Sequence, residues 1–223
     1  MAKHGIAFWD DSTPRRYNRL MGRPRSFDTT AALRAIEDQF RMTGYAGTSL
    51  DDVAAATGLG RGSIYAAFGD KHELFMRTLD EFCQRTEAHV AAVLDGPDET
   101  AVSRLHEFLL ASAQVGDGGT APKCMATKFA VELDEQDPEA LERVAQSFSV
   151  LRRRLRDCVL AAQRHGDVEP SADADVLAGL VWTVTRGLQV MASAGQTAAE
   201  LEPVAEAAFR SLPFTSTLAD SHR

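Results

Sequence analysis

The sequence predicts an all-α protein of about nine helices, a small N-terminal unit of three followed by a larger helical one. Three observations predict it. Apolar residues recur at spacings of three and four along most of the 223-residue chain. Gly, Pro and side chains that cap helix ends punctuate these runs. No stretch sustains the alternation of a half-buried strand.

Residues 1–26 show no sustained periodicity, and Pro14, Gly22 and Pro24 break any helix, so they read as a flexible basic arm. Asp28 is a suitable N-cap, after which Leu33, Ile36 and Phe40 share a helical face until Gly44. Thr48 and Ser49 offer cap hydroxyls to a short helix ended by Gly58, and Ile64 and Phe68 mark the inner side of a third helix ending near Gly69. Asp70 with Glu73 forms a capping box at the start of a long helix reaching about Leu94, before Gly96-Pro97. Thr100 to Val115 reads as a helix, Gly116–Pro122 as a loop, and Cys124 to about Leu133 as a short helix. Asp137-Pro138 then opens a long helix whose Leu141, Val144, Phe148, Leu151, Leu155, Cys158 and Ala162 form a buried seam closed by Gly166. An apolar helix from about Asp173 to Ala194 and a last one from about Thr197 to Leu212 follow. This divides the chain into an arm (1–26), a three-helix unit (27–70), a larger helical unit (71–213) and a loose tail (214–223).

Charge is unevenly spread. The chain carries a net charge of −8, which would oppose nucleic acid if it were uniform. Residues 1–70 instead hold 9 basic and 8 acidic groups, against 15 and 24 in residues 71–223. Arg15, Arg16, Arg19, Arg23 and Arg25 lie in a stretch without acids, either a solvated arm or one that follows phosphates or the minor groove. Thr48 to Leu74 fits a helix-turn-helix, with Val53, Ala54, Leu59 and Ile64 inside and Arg61, Ser63, Tyr65 and Ala66 outside. Arg61 is suited to fork onto guanine, Ser63 to bond a base edge or phosphate, and the Ala66 methyl to touch thymine. Gly62 removes a side chain where backbone must approach a duplex, while Asp51 and Asp52 favour the positive helix end and are expected to point aside.

The string Thr48-Ser49-Leu50-Asp51-Asp52-Val53-Ala54, followed by Gly58-Leu59, Arg61-Gly62-Ser63-Ile64-Tyr65, Phe68 and Lys71-x-x-Leu74, resembles the DNA-binding signature of the TetR family. The resemblance implies phosphate contacts from Thr48, Ser49, Tyr65 and Lys71 and base reading from Arg61 to Ala66. Two departures stand out. Gly60 replaces the usual Ser or Thr cap, and Ala66-Ala67 replace bulkier aromatic or histidine residues. Residues 22–27 resemble a common start in that family, leaving the first 20 residues as an extension or a misassigned start.

The resemblance further implies a second domain in which the last two long helices pair with their copies in a homodimer. Leu177, Leu180, Val181, Val184, Leu188 and Met191 give an apolar face, Gly179, Thr183 and Gly187 a small-residue face, and Val204, Ala207 and Ala208 a matching face. Packing within one subunit is the alternative. A small organic effector is expected between the middle helices, among Phe82, Phe108, Met125, Phe129, Phe148, Trp182 and Arg186. Arg186, on an apolar helix, needs a partner such as Glu132 or an acidic ligand group.

Other chemistries find little purchase. There is no GxSxG, Gly-rich phosphate loop or nucleophile–base pair, so no enzyme is expected. The six histidines lack paired metal spacing, and neither metal nor cofactor is assigned. Cys83, Cys124 and Cys158 form no disulfide framework, although Cys124 at a helix start is a candidate redox-sensing thiol. No apolar run approaches the ~18 residues of a membrane helix, and no signal peptide is visible. These features predict a cytoplasmic, ligand-responsive repressor that binds a palindromic double-stranded DNA operator as a homodimer. The alternative is a DNA-binding regulator or architectural protein without a ligand.

Overall fold

Asp28 starts the first helix by accepting hydrogen bonds from the backbone N–H groups of Thr30 and Ala31, which satisfies donors that have no partner inside the helix. The computed structural model describes residues 27–114 and 137–215. The expected arm (1–26), the loop at 116–122 and the short helix from Cys124 lie outside them. α1 spans Thr29–Gly47 and kinks at Gly44, where φ 80° is open to glycine at no steric cost. α2 (Leu50–Thr57) and α3 (Arg61–Phe68) meet through a turn in which Gly58 adopts φ 67°. α4 (Lys71–Leu94) starts with the Asp70–Glu73 capping box, as the spacing predicts.

Two apolar clusters organise these elements. Ile36 and Phe40 of α1, Val53 of α2, Ile64 and Phe68 of α3, and Leu74, Phe75, Leu79 and Cys83 of α4 form the first. Phe40 meets Phe75 edge to face with centroids 5.2 Å apart. Glu37 is buried beside this core, and Arg85 of α4 donates to it from Nη2 at 2.5 Å. That bond keeps a buried carboxylate paired and fixes α1 against α4.

A 3₁₀ turn (Asp98–Thr100) leads into α5 (Ala101–Ala113). α6 (Pro138–His165), α7 (Ala174–Ser193) and α8 (Ala198–Arg210) complete the described helices. The second cluster draws on the end of α4 and on α5 to α8, with Leu105, Leu109, Leu151, Leu155, Val181 and Leu201 among its members. α6 serves both clusters. Its early Ala140 and Val144 belong to the first, and Leu151 to Ala162 to the second. Ion pairs fasten it to α4, since Arg143 donates to Asp80 at 2.6 Å and to Glu87 at 3.3 Å.

Two expectations are corrected. The chain is not loose from residue 214. Phe214 pairs with Val168 in an isolated antiparallel bridge, and its ring lies 5.0 Å from that of Phe209. Thr215 donates its N–H to the Asp167 carbonyl at 2.9 Å, so backbone bonds and aromatic packing hold the chain to this point. α7, moreover, is long and apolar enough to cross a membrane, with mean hydropathy 1.2. Its inner side packs into the second cluster through Leu177, Ala178, Val181 and Leu188. Its outer side presents Val176, Leu180, Val190 and Met191 exposed.

Candidate nucleic-acid interface

The position of α3 follows from two buried side chains and one arginine. Ile64 and Phe68 point into the first cluster, while Arg77 of α4 donates to the Ala67 carbonyl at 2.5 Å. The same guanidinium stands 5.7 Å over the Phe68 ring. A cation at this C-terminus complements the helix dipole and ties α3 to α4. Nothing in the sequence spacing marked Arg77 for this role.

With that face fixed, Arg61, Gly62, Ser63, Tyr65 and Ala66 are all turned to solvent. Tyr65 is 52% exposed despite its large ring. Gly62 has open space where a side chain would stand. Gly60 caps α3 without a side-chain hydrogen bond, as its departure from the family pattern implied. The outward surface therefore carries one guanidinium, one hydroxyl, one phenol and one methyl within six positions.

Among the neighbouring residues, Thr48 and Asp51 depart from expectation, while Ser49 caps α2 as expected. Thr48 is 2% exposed, and its hydroxyl donates to the Gly44 carbonyl at 2.6 Å. It braces the kink in α1 and does not face outward. The Ser49 hydroxyl is engaged in a capping box with Asp52, whose carboxylate also accepts the Ser49 N–H at 2.8 Å. These bonds hold the Asp52 carboxyl below the usual carboxylate range. Asp51 does not point aside. It takes both Nε and Nη2 of Arg61 in a forked ion pair that raises the guanidinium pKa further. The residue suited to grip guanine is thus already seated on a carboxylate of similar geometry.

Lys71 leans over the Tyr45 ring, 4.6 Å from its centroid, a contact the sequence reading did not include. Burial, followed by the nearby charges of Asp137 and Asp70, pushes the Tyr45 phenol pKa up. His72 Nε2 lies 2.9 Å from Asp137 Oδ2, joining the start of α4 to the cap of α6.

The expected effector residues separate. Phe148 and Trp182 meet edge to face at 5.2 Å, and Arg186 stands 4.2 Å over the Trp182 ring. Phe108 packs within the second cluster, whereas Phe82 lies against the first. Met125, Phe129, Cys124 and Glu132 lie outside the described residues. Phe148 and Trp182 border a cleft of about 630 Å³ between α6 and α7, with Arg152, Arg153, Arg156 and Asp175 on its walls. The Arg-Arg-Arg-Leu-Arg run at 152–156 was the available signal for that cationic wall.

The expected dimer face splits by helical geometry. Leu177, Val181 and Leu188 fill the chain's own second cluster and have almost no surface to offer a partner. Val184 is half-buried against that cluster. Leu180, Val204 and Ala207 are exposed, and Ala208 is half-buried. With Val176, Thr183, Gly187 and Val190 also exposed, α7 carries an uncharged outer stripe. Among the described residues both cysteines, Cys83 and Cys158, are buried, and burial raises their thiol pKa values.

This geometry has counterparts among known proteins. The profile for bacterial regulatory proteins of the tetR family matches residues 32–78. That for the tetracyclin repressor-like C-terminal domain matches residues 101–208. The HTH-type transcriptional repressor ComR of Escherichia coli (strain K12) is 27% identical over 193 residues, covering 86% of this chain and 92% of ComR. A cysteine mutant of the TetR family transcriptional regulator CifR, complexed with 26-base-pair double-strand operator DNA, superposes with TM-score 0.73 at 27% identity. That match covers 86% of this chain and 100% of the CifR chain. A TetR transcriptional regulator from Chloroflexus aurantiacus J-10-FL gives TM-score 0.72 at 28% identity, over 80% of this chain and 90% of its own. The matched families and relatives are regulators of transcription, not enzymes.

Proposed function

Because the chain belongs to the TetR family of transcriptional regulators, we propose that it represses transcription by binding a palindromic operator as a homodimer, and that a small organic effector releases it. The observation that carries the DNA assignment is the outward face of α3. Its inner face is locked by Ile64, Phe68 and Arg77, so Arg61, Ser63, Tyr65 and Ala66 are displayed on a rigid mount. A helix so displayed suits the major groove, with base edges read by Arg61 and Ser63 and phosphates by Tyr65 and Lys71.

One such helix spans too few base pairs for strong specificity. The uncharged stripe on α7, with Leu180 40% exposed, and the exposed Val204 of α8 support pairing with a second copy. The pair would act in the cytoplasm on double-stranded DNA. The apolar interior beside α5 and α6, filled by Phe108, Leu109, Leu151 and Leu155, favours a second reading, a regulator that senses no small molecule.

Operator selection from random double-stranded DNA, followed by titration of the complex with candidate effectors, tests both. The proposal expects a palindromic site bound by two chains and at least one small molecule that lowers affinity. Selection of no sequence above random would overturn the DNA assignment, and a site insensitive to every molecule that binds the protein would favour the second reading.

A further inference from the structure

We propose that the cleft between α6 and α7 is a binding site for an aromatic organic anion, with Arg152 and Arg153 receiving the anionic group and Phe148 and Trp182 the ring. This rests on the effector-responsive reading above and gives it a place and a chemical class. Size is the first support. At about 630 Å³ the cleft falls within the roughly 300–1,000 Å³ typical of small-molecule sites.

Charge pairing is the second. α6 carries six arginines, and four of them are matched. Arg143 pairs with Asp80 and Glu87, Arg154 with Asp95, Arg156 with Asp175, and Arg164 with Asp98. Among the described residues Arg152 and Arg153 have no carboxylate partner, in a chain with a net charge of −8. Asp175, the one acid on the walls, is bonded to Arg156 Nε at 3.0 Å, which leaves the other two guanidinium groups to the cleft.

The aromatic pair supplies the complementary half. Phe148 and Trp182 form an edge-to-face corner, and Arg186 stacks on the Trp182 ring at 4.2 Å, which holds the indole in place. An anionic head among guanidinium groups with a flat apolar body on indole and phenyl is the ligand this lining matches.

The cleft is also placed to act on DNA binding. Phe148 packs against the first cluster and Trp182 against the second, so the corner joins the two cores. One and two turns before Phe148, Val144 and Ala140 are buried in the first cluster. Asp137, which caps this helix, bonds His72 at the start of α4. A ring wedged against Phe148 therefore pushes on the helix turns that complete the α3 mount. Ligand and operator become coupled if the ligand prefers a mount geometry that the operator does not.

The test uses the full chain with Trp9→Phe, which leaves Trp182 as the sole indole of the two. The probes are 8-anilinonaphthalene-1-sulfonate and its uncharged counterpart N-phenyl-1-naphthylamine, followed by energy transfer from Trp182. The sulfonate should bind with transfer, and Arg152→Gln combined with Arg153→Gln should weaken it about tenfold or more. The neutral probe should be little changed, and Arg152→Lys with Arg153→Lys should retain most sulfonate binding. Absence of sulfonate binding, equal binding to the glutamine variant, or parallel loss of both probes would overturn the proposal. Operator affinity measured with and without the sulfonate separates the two claims. Arginine-dependent binding that leaves operator affinity unchanged upholds the site while removing effector release.

Discussion

Arg61 and Asp51 lie ten residues apart in sequence and share one patch of surface, where the carboxylate occupies the fork that a guanine edge would take. If Arg61 reads guanine as proposed, operator binding involves an exchange of partners. Arg61→Ala should cost about 1–3 kcal/mol at the selected site and much less on random DNA. Asp51→Asn removes the competing carboxylate and a negative charge near phosphates, so it should tighten binding to all sequences, most at low salt. Lys71→Ala should weaken every sequence alike and reduce the salt slope by about one. Fluorescence anisotropy at several salt concentrations measures all three, and unchanged operator affinity for Arg61→Ala would remove the base-reading role. The outward set Arg61, Ser63, Tyr65 and Ala66 was legible because helical period and turn chemistry fix which side faces out. The engagements of Thr48 and Asp51 were not, since each depends on a partner brought near by folding.

α4 shows how one helix can be read from sequence while its attachments cannot. Its cap, length and buried positions follow from Asp70, Glu73 and the apolar period. Its clamps, Arg85 on Glu37 and Arg77 on Ala67, join residues that periodicity treats as ordinary solvated arginines. Arg85→Ala removes the shorter of the two ion pairs of buried Glu37, leaving Arg41 at 3.7 Å, and should lower stability by about 1 kcal/mol, read as a lower midpoint in urea. Arg77→Ala should leave the midpoint less affected but loosen α3, seen as faster amide exchange at Ile64 to Phe68 and weaker operator binding. α7 taught a related lesson. Its apolar character was plain, but the division into an inner and an outer face depended on where α5, α6 and α8 pack.

For the whole molecule, the uncharged stripe on α7 and the exposed apolar side chains of α8 predict that two chains associate through these faces. Leu180→Glu with Val204→Glu would place unpaired carboxylates there and should weaken the dimer by about 3–5 kcal/mol. Sedimentation should then show monomers, while a dimer that persists at micromolar concentration would move the interface elsewhere. The two copies of α3 are expected to meet half-sites about 34 Å apart, or a multiple of that spacing. The contribution of α6 to the first core also bears on modularity. Leu74, Phe75 and Leu79 of α4 and Ala140 and Val144 of α6 are buried with α1 to α3, so the reading head is not a cassette ending at residue 70. A chimera that transplants residues 27–70 alone would carry an apolar core with two of its walls missing. To exchange operator specificity between relatives, the graft must include α4 to Cys83 and the opening turns of α6, or else be confined to the solvent-facing residues of α3.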